Sequence, residues 1–268
     1  MKILLTLLFS TLLTSAICQE KYDIYLLIGQ SNMAGRGKMI PSDTDTIAGV
    51  YLLTREGIPE PATNPLNKYS TIRKDISMQQ ISMGFSFAKQ IYKKNGRKGL
   101  LVVNARGGST IEEWDKSNSV KNYYSEAVRR TLEAMRFGTL KAILWHQGEQ
   151  NSENPEDYLP KLEKLGREIR EDLNSPELPF IAGEIARWWQ PNASNFNPVI
   201  NKISETIPYT ACVCTKGAKS ETDLTDPHFN RESQILIGKR YAREALKLIK
   251  ADKQGRRSLR GFREASRR

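Results

Sequence analysis

Five apolar, β-branched runs recur along this chain, at residues 23–29, 99–104, 142–145, 179–184 and 209–214. They are continuous, without the polar alternation of a strand that keeps one face wet, so each needs cover on both faces. The cover lies between them: residues 84–92, 123–137, 158–173, 195–206 and 233–250 carry apolar side chains at helical spacing. Strand and helix in alternation predict an α/β chain built on a parallel sheet, wound by right-handed crossovers and clothed on both faces. Such a sheet places its ligand outside the carboxyl ends of its strands.

No linker divides the pattern and no repeat doubles it, so residues 19–250 read as one domain. The stretch 35–82 is weakly patterned, holds Pro41, Pro59, Pro61 and Pro65, and reads as surface loops with one short strand at 50–53. Loops of that length in a compact domain often belong to a binding site. A hydrophobic content of 39% and a mean hydropathy of −0.52 exclude both a polytopic membrane protein and a disordered chain. The formal charge of +11 invites a nucleic-acid reading. Much of it sits in residues 251–268, where Lys253, Arg256, Arg257, Arg260, Arg263, Arg267 and Arg268 face only Asp252 and Glu264. The body shows no basic run, so nucleic acid is not an expected partner, and the tail reads as disordered.

Residues 1–18 have the anatomy of a secretory signal peptide: basic Lys2, an apolar run at 3–9, Leu12-Leu13, then Ser15 and Ala16 before polar Gln19. Cleavage after Cys18, with Ala16 at the −3 position, predicts a secreted or periplasmic protein. Ile17 is a poor residue to precede an acylated cysteine, which disfavours lipid anchoring at Cys18. No later stretch is long and apolar enough to span a bilayer. Cys212 and Cys214, two apart on a strand, project from one face at a spacing that seldom suits a disulfide, and read as buried free thiols. With two histidines in the chain, no zinc site is expected.

The chemistry gathers at the strand ends. The first run leads into Gly29-Gln30-Ser31-Asn32-Met33-Ala34-Gly35, where a serine in a tight turn opening a helix turns its hydroxyl to the cleft; a helix N-cap is the competing role. The second leads into Arg106-Gly107-Gly108-Ser109, whose paired glycines let the backbone approach a ligand and offer an N–H donor. The third ends Trp145-His146-Gln147-Gly148-Glu149. Before the last helix stands Asp226-Pro227-His228-Phe229-Asn230, a histidine beside a carboxylate, the pattern of a general base with its orienting partner.

In this order the four segments resemble the SGNH-type hydrolases, specifically the group of carbohydrate esterase family six and the sialate O-acetylesterases. The resemblance covers most of residues 22–248. It implies a three-layer α/β/α sandwich with a parallel sheet of about five strands. It implies Ser31 as nucleophile and His228 as base, with the Ser31 amide, a Gly107 or Gly108 amide and the Gln147 side chain as oxyanion hole. No metal or organic cofactor is called for. The expected activity is removal of O-acetyl groups from carbohydrate, as in acetylxylan or 9-O-acetylated sialic acid, through an acetyl–Ser31 intermediate. The rivals are a lipase or thioesterase of the same hydrolase type, and a carbohydrate-binding protein without turnover.

The acid of the triad departs from the family's pattern. An aspartate usually stands three residues before the histidine, where this chain has Thr225. Asp226 is two residues before His228 with Pro227 between, and an extended segment projects such a pair to the same side. Glu149 is the competitor, and Asp226 is the expected partner. Trp188 and Trp189, with Arg187, lie beyond the fourth run as a candidate sugar platform, and Arg187 or Arg106 as a candidate partner for a sugar carboxylate. His146 is expected to pack or to line the cleft.

Overall fold

The computed structural model describes residues 22–265, with side chains as far as Ala251. The expected signal peptide at residues 1–18, Cys18 included, lies outside the described residues. The chain runs β1 (Tyr22–Gly29), α1 (Ser31–Ala34), β2 (Val50–Leu53), β3 (Pro59–Pro61), α2 (Met83–Asn95), β4 (Gly99–Ala105), α3 (Tyr123–Met135), β5 (Gly138–His146), α4 (Tyr158–Asp172), β6 (Phe180–Gly183), α5 (Asn192–Ile200), α6 (Ile203–Thr206), β7 (Thr210–Val213) and α7 (Arg231–Ala265). The strands form one sheet of seven in the order β3-β2-β4-β1-β5-β6-β7. All neighbours are parallel except β3, which runs antiparallel to β2 at the edge.

The sheet is therefore larger than the five strands expected. The short strand at 50–53 is present as β2. Strand β3 went unread because it begins and ends in proline, which cannot donate to a ladder and is tolerated at an edge.

Alternation along β1 divides the core. Ile24, Leu26 and Ile28 face one layer, where α3 and α4 contribute Ala127, Leu162, Leu165 and Ile169. Tyr25 and Leu27 face the other, against Phe87 and Ile91 of α2 and Ile237 and Tyr241 of α7. All of these are buried. In α4, Tyr158, Leu162, Leu165 and Ile169 recur at three- and four-residue steps, so one stripe faces the sheet while Lys161, Lys164 and Arg167 pair with carboxylates on the other side.

Registration sets the ends level. Gly29 lies opposite Ala105 on one side and His146 on the other, so the segments after β1, β4 and β5 emerge along one rim. The chain leaves β1 toward β2 and β4 on one flank and continues to β5, β6 and β7 on the other. The crevice opened by that reversal stands over the end of β1.

Helix α7 runs past residue 250, where the domain was expected to end. The backbone is helical to Ala265, through residues expected to be disordered from 251. They hold no proline, and four arginines with Lys253, Gln254 and Leu259 extend a helix once it is nucleated, against the cost of Gly255 and Gly261. Cys212 and Cys214 are both free, the first partly buried and the second exposed, so the expectation of two buried thiols holds for neither in full.

Candidate active site

Strand β1 delivers Ser31 into the crevice through a turn that only glycine fits. Gly29 has φ +132°, and a Cβ there would stand 2.1 Å from the His146 carbonyl oxygen. Ser31 then opens α1, buried but lining a cleft of about 260 Å³ together with Gly107, Gly108, Glu149, Trp189 and His228. A larger concavity of about 730 Å³ lies between residues 42–48, α2 and α7, but no serine–histidine pair lines it.

Within the smaller cleft, the Ser31 Oγ is 3.0 Å from His228 Nε2. On the far side of the ring, Nδ1 is 2.6 Å from Asp226 Oδ1. The same oxygen accepts the His228 backbone N–H at 2.9 Å, and Oδ2 accepts from the Thr222 hydroxyl at 3.0 Å. Three residues thus stand in a hydrogen-bonded line, with the carboxylate fixed by bonds of its own. Burial pulls the His228 pKa below its ordinary value; Asp226 opposes this, and the Arg36 charge adds to it.

Gly107 packs directly on Ser31: a Cβ there would lie 3.6 Å from Ser31 Cβ. Among the described residues, none accepts a hydrogen bond from the backbone N–H of Ser31, Gly107 or Gly108. These are donors beside the Ser31 hydroxyl with no protein partner, an arrangement that could meet an oxyanion.

The structure departs from several sequence expectations. Gln147 does not line the cleft. It is buried, and its side-chain N–H groups are shared among Gln30 Oε1, the Ser109 carbonyl and Asn151 Oδ1 at 3.2, 3.1 and 2.8 Å, while its carbonyl accepts from Tyr158 at 2.8 Å. It braces the floor behind the donors. Glu149 does not reach the imidazole: its Oε1 accepts from Asn32 Nδ2 at 2.7 Å. Of the two carboxylates in competition, the one at His228 is Asp226. Arg187 is turned away and closed in two bonds on buried Glu184, at 2.7 and 2.6 Å. Arg106 bonds the Ile72 carbonyl and lies over the Tyr123 ring. The two tryptophans part company: Trp188 donates to the Asp226 carbonyl at 2.9 Å, bracing the loop that carries Asp226 and His228, and of the two only Trp189 lines the cleft. His146 is buried, its Nδ1 3.0 Å from the Tyr241 hydroxyl, and burial pushes its pKa down to about 3.

Sequence reasoning missed Asn32, Arg36 and Lys74. Asn32 donates to the Pro227 carbonyl at 3.1 Å and accepts from the Phe229 N–H at 3.1 Å, gripping the chain on both sides of His228. Its place beside Ser31 was the available signal. Arg36 and Lys74 line the cleft. Arg36 is held through Nη1 by the carbonyls of Gly35 and Met78, and its Nη2 lies against Gly107, 2.9 Å from where a Cβ would be. Among the described residues neither cation pairs with a carboxylate. Both fall in the proline-punctuated loop, where no periodicity marks them. Also among the described residues, no group of three or more histidine, cysteine or acidic side chains is placed to hold a metal ion, and no helix is long and apolar enough to cross a membrane.

A family model described as carbohydrate esterase, sialic acid-specific acetylesterase, matches residues 21–247. A probable carbohydrate esterase of Arabidopsis thaliana is 28% identical over 241 residues, which is 80% of this chain and 86% of that one. A solved structure of a protein from Arabidopsis thaliana superposes with a TM-score of 0.75 at 26% identity, covering 85% of this chain and 98% of that one. The fold is shared with NanS (TM-score 0.67, 17% identity, 87% of this chain and 99% of that one). It is shared also with a carbohydrate acetylesterase from Xanthomonas citri (0.62, 18%, 85% and 56%).

Proposed function

The chain belongs to the carbohydrate esterase family of sialic acid-specific acetylesterases, and on that premise we propose that it is an exported serine esterase that removes O-acetyl groups from acidic sugars. The observation that carries the reading is the line Ser31–His228–Asp226 beside three unpartnered backbone N–H groups. As Ser31 Oγ attacks the acetyl carbonyl carbon, its proton passes to His228 Nε2. The carbonyl electrons move onto oxygen, and the N–H groups of Ser31 and Gly107 or Gly108 meet the new charge; one such donor is worth about 3–4 kcal/mol of barrier. Collapse breaks the bond to the sugar oxygen, which leaves with the proton from His228. Water then attacks the acetyl–Ser31, His228 takes and returns a proton, and acetate departs. Asp226 holds the imidazole in the tautomer that presents Nε2 to the serine.

Two features favour an acidic, short-acyl substrate. The cleft of about 260 Å³ is below the usual range for drug-sized ligands and suits an acetyl group with part of one sugar, not a long acyl chain. Arg36 and Lys74 flank it without carboxylate partners, and a substrate carboxylate would supply one. Acetate release from 9-O-acetyl sialic acid, acetylated xylan and acetylated mannan tests this, with chromogenic acetyl and long-chain acyl esters run beside them. The sialate should lead in kcat/KM by about tenfold or more, and Arg36→Gln should shrink that lead while sparing the neutral acetyl ester. Preference for the long-chain ester overturns the acyl assignment; a lead for xylan overturns the acidic one.

A further inference from the structure

We infer that Glu149 is a positioning residue: its carboxylate holds the Asn32 side chain, and Asn32 holds the backbone on both sides of His228. The inference rests on the esterase reading, because the geometry it protects is that of His228 to Ser31. Glu149 is 4% exposed, its Oε1 is bonded by Asn32 Nδ2, and its Oε2 is buried with no partner. A carboxylate so placed is a costly way to fill space, since glutamine or a hydrophobic residue of like volume would leave less unsatisfied. Burial accordingly pushes its pKa up to about 7.

What a carboxylate supplies is an acceptor. The Asn32 amide stands among the Glu149 carboxylate and the Pro227 carbonyl, which accept, and the Phe229 N–H, which donates. With its NH2 toward Glu149 and Pro227 and its oxygen toward Phe229, every bond is made. Turned over, the oxygen would face two acceptors and the NH2 a donor. Glu149 thus helps fix which way Asn32 points, and Asn32 fixes residues 227 and 229 around the base. The unpartnered oxygen is buried and the side-chain bond the carboxylate makes is to Asn32, so its effect on His228 runs through Asn32.

This predicts losses in kcat, not KM, and losses that do not add. Glu149→Ala and Asn32→Ala should each lower kcat about 10- to 100-fold on a chromogenic acetyl ester, the scale of a misplacement near 1 Å, with KM within about threefold. The double variant should fall no further than the worse single one. Glu149→Gln, which keeps an oxygen for Asn32, should recover to within about tenfold of wild type, and it keeps the test open should the alanine variant fail to fold. Multiplying losses in the double variant, a loss carried by KM, or undiminished kcat in folded Glu149→Ala overturns the inference. Ser31→Ala, assayed alongside, reports on the esterase reading itself, so failure of either is seen separately.

Discussion

In the proposed mechanism His228 works only while neutral, and its surroundings determine over what pH that holds. Burial lowers its pKa below 6.5, Arg36 lowers it further, and Asp226 raises it. The acid limb of kcat/KM should therefore fall below pH 6.5. Asp226→Asn removes the raising charge, so the limb should move lower still while the plateau drops roughly 10³- to 10⁴-fold through loss of tautomer control and imidazolium stabilisation. Arg36→Gln removes a lowering charge and should move the limb upward. A pH–rate profile in which both variants shift the same way rejects this account. Ser31→Ala should cost several orders of magnitude in turnover with an unchanged melting temperature. His146 titrates through stability instead. Its folded-state pKa, about 3, lies below the unfolded value near 6.5. Its contribution is complete above pH 6.5 and is lost as pH falls toward 3, by at most about 1.4 kcal/mol per pH unit. Urea midpoints against pH should show that slope, and His146→Asn should flatten it. Ser31 stood out in a short motif at a strand end, and Asp226 and His228 in a short motif before the last helix. Arg36 and Lys74 did not, because what they face is decided by loops that fold back from elsewhere; nor did the bonds of Gln147, because its partners, Gln30, Ser109 and Asn151, are separated from it by up to 117 residues.

At the scale of elements, the sequence is most readable where burial is complete. The runs behind β1, β4 and β5 are apolar on both faces and could be nothing but inner strands. The segment 195–206 resolves into α5 and α6, with Pro198 inside α5; its apolar spacing gave the helix but not the break. The stretch 35–82 holds three 3-10 turns and β3, pinned by side chains such as Asn67, which bonds both Gln79 and Ala105. Contacts of that kind leave no periodic trace. The site rests on two glycines whose replacement should differ in kind. At Gly29 a Cβ meets backbone at 2.1 Å in a left-handed conformation, so Gly29→Ala should destabilise by about 3 kcal/mol or more. At Gly107 the nearest atom is the end of the Arg36 side chain at 2.9 Å, and the next is Ser31 Cβ at 3.6 Å. Gly107→Ala should fold with a near-normal melting temperature and lose activity by displacing Arg36 and crowding the nucleophile. Equal melting temperatures for the two variants would mean that the turn before Ser31 tolerates a side chain.

Over the whole molecule, the candidate site and Lys250 of α7 lie at opposite ends of the sheet. Ser31 follows the carboxyl end of β1, whereas Leu246, Ile249 and Lys250 of α7 share a cavity with Asp23 and Tyr25 at its amino end. The eight residues of β1 put about 25 Å between them, more than twice the Debye length of about 10 Å at 0.1 M salt. Charges carried beyond residue 250 should thus be screened from an anionic substrate entering the cleft. Among the described side chains of α7, Ile237, Tyr241, Ala242 and Ala245 are the buried apolar ones, and the Tyr241 hydroxyl bonds both His146 and the Trp145 carbonyl. A chain ended after Lys250 should therefore keep its melting temperature within a few degrees and its kcat/KM on an acidic acetyl ester within about twofold at 0.1 M salt. One ended after Lys239 loses Tyr241, Ala242 and Ala245 and should not fold, because burial worth several kcal/mol is comparable to the whole stability of a domain. The informative result is salt dependence. Were removal of residues 251–268 to lower kcat/KM for the acidic ester at low salt but not for a neutral one, the basic extension would be steering substrate, and the separation argued from β1 would not be what insulates the site.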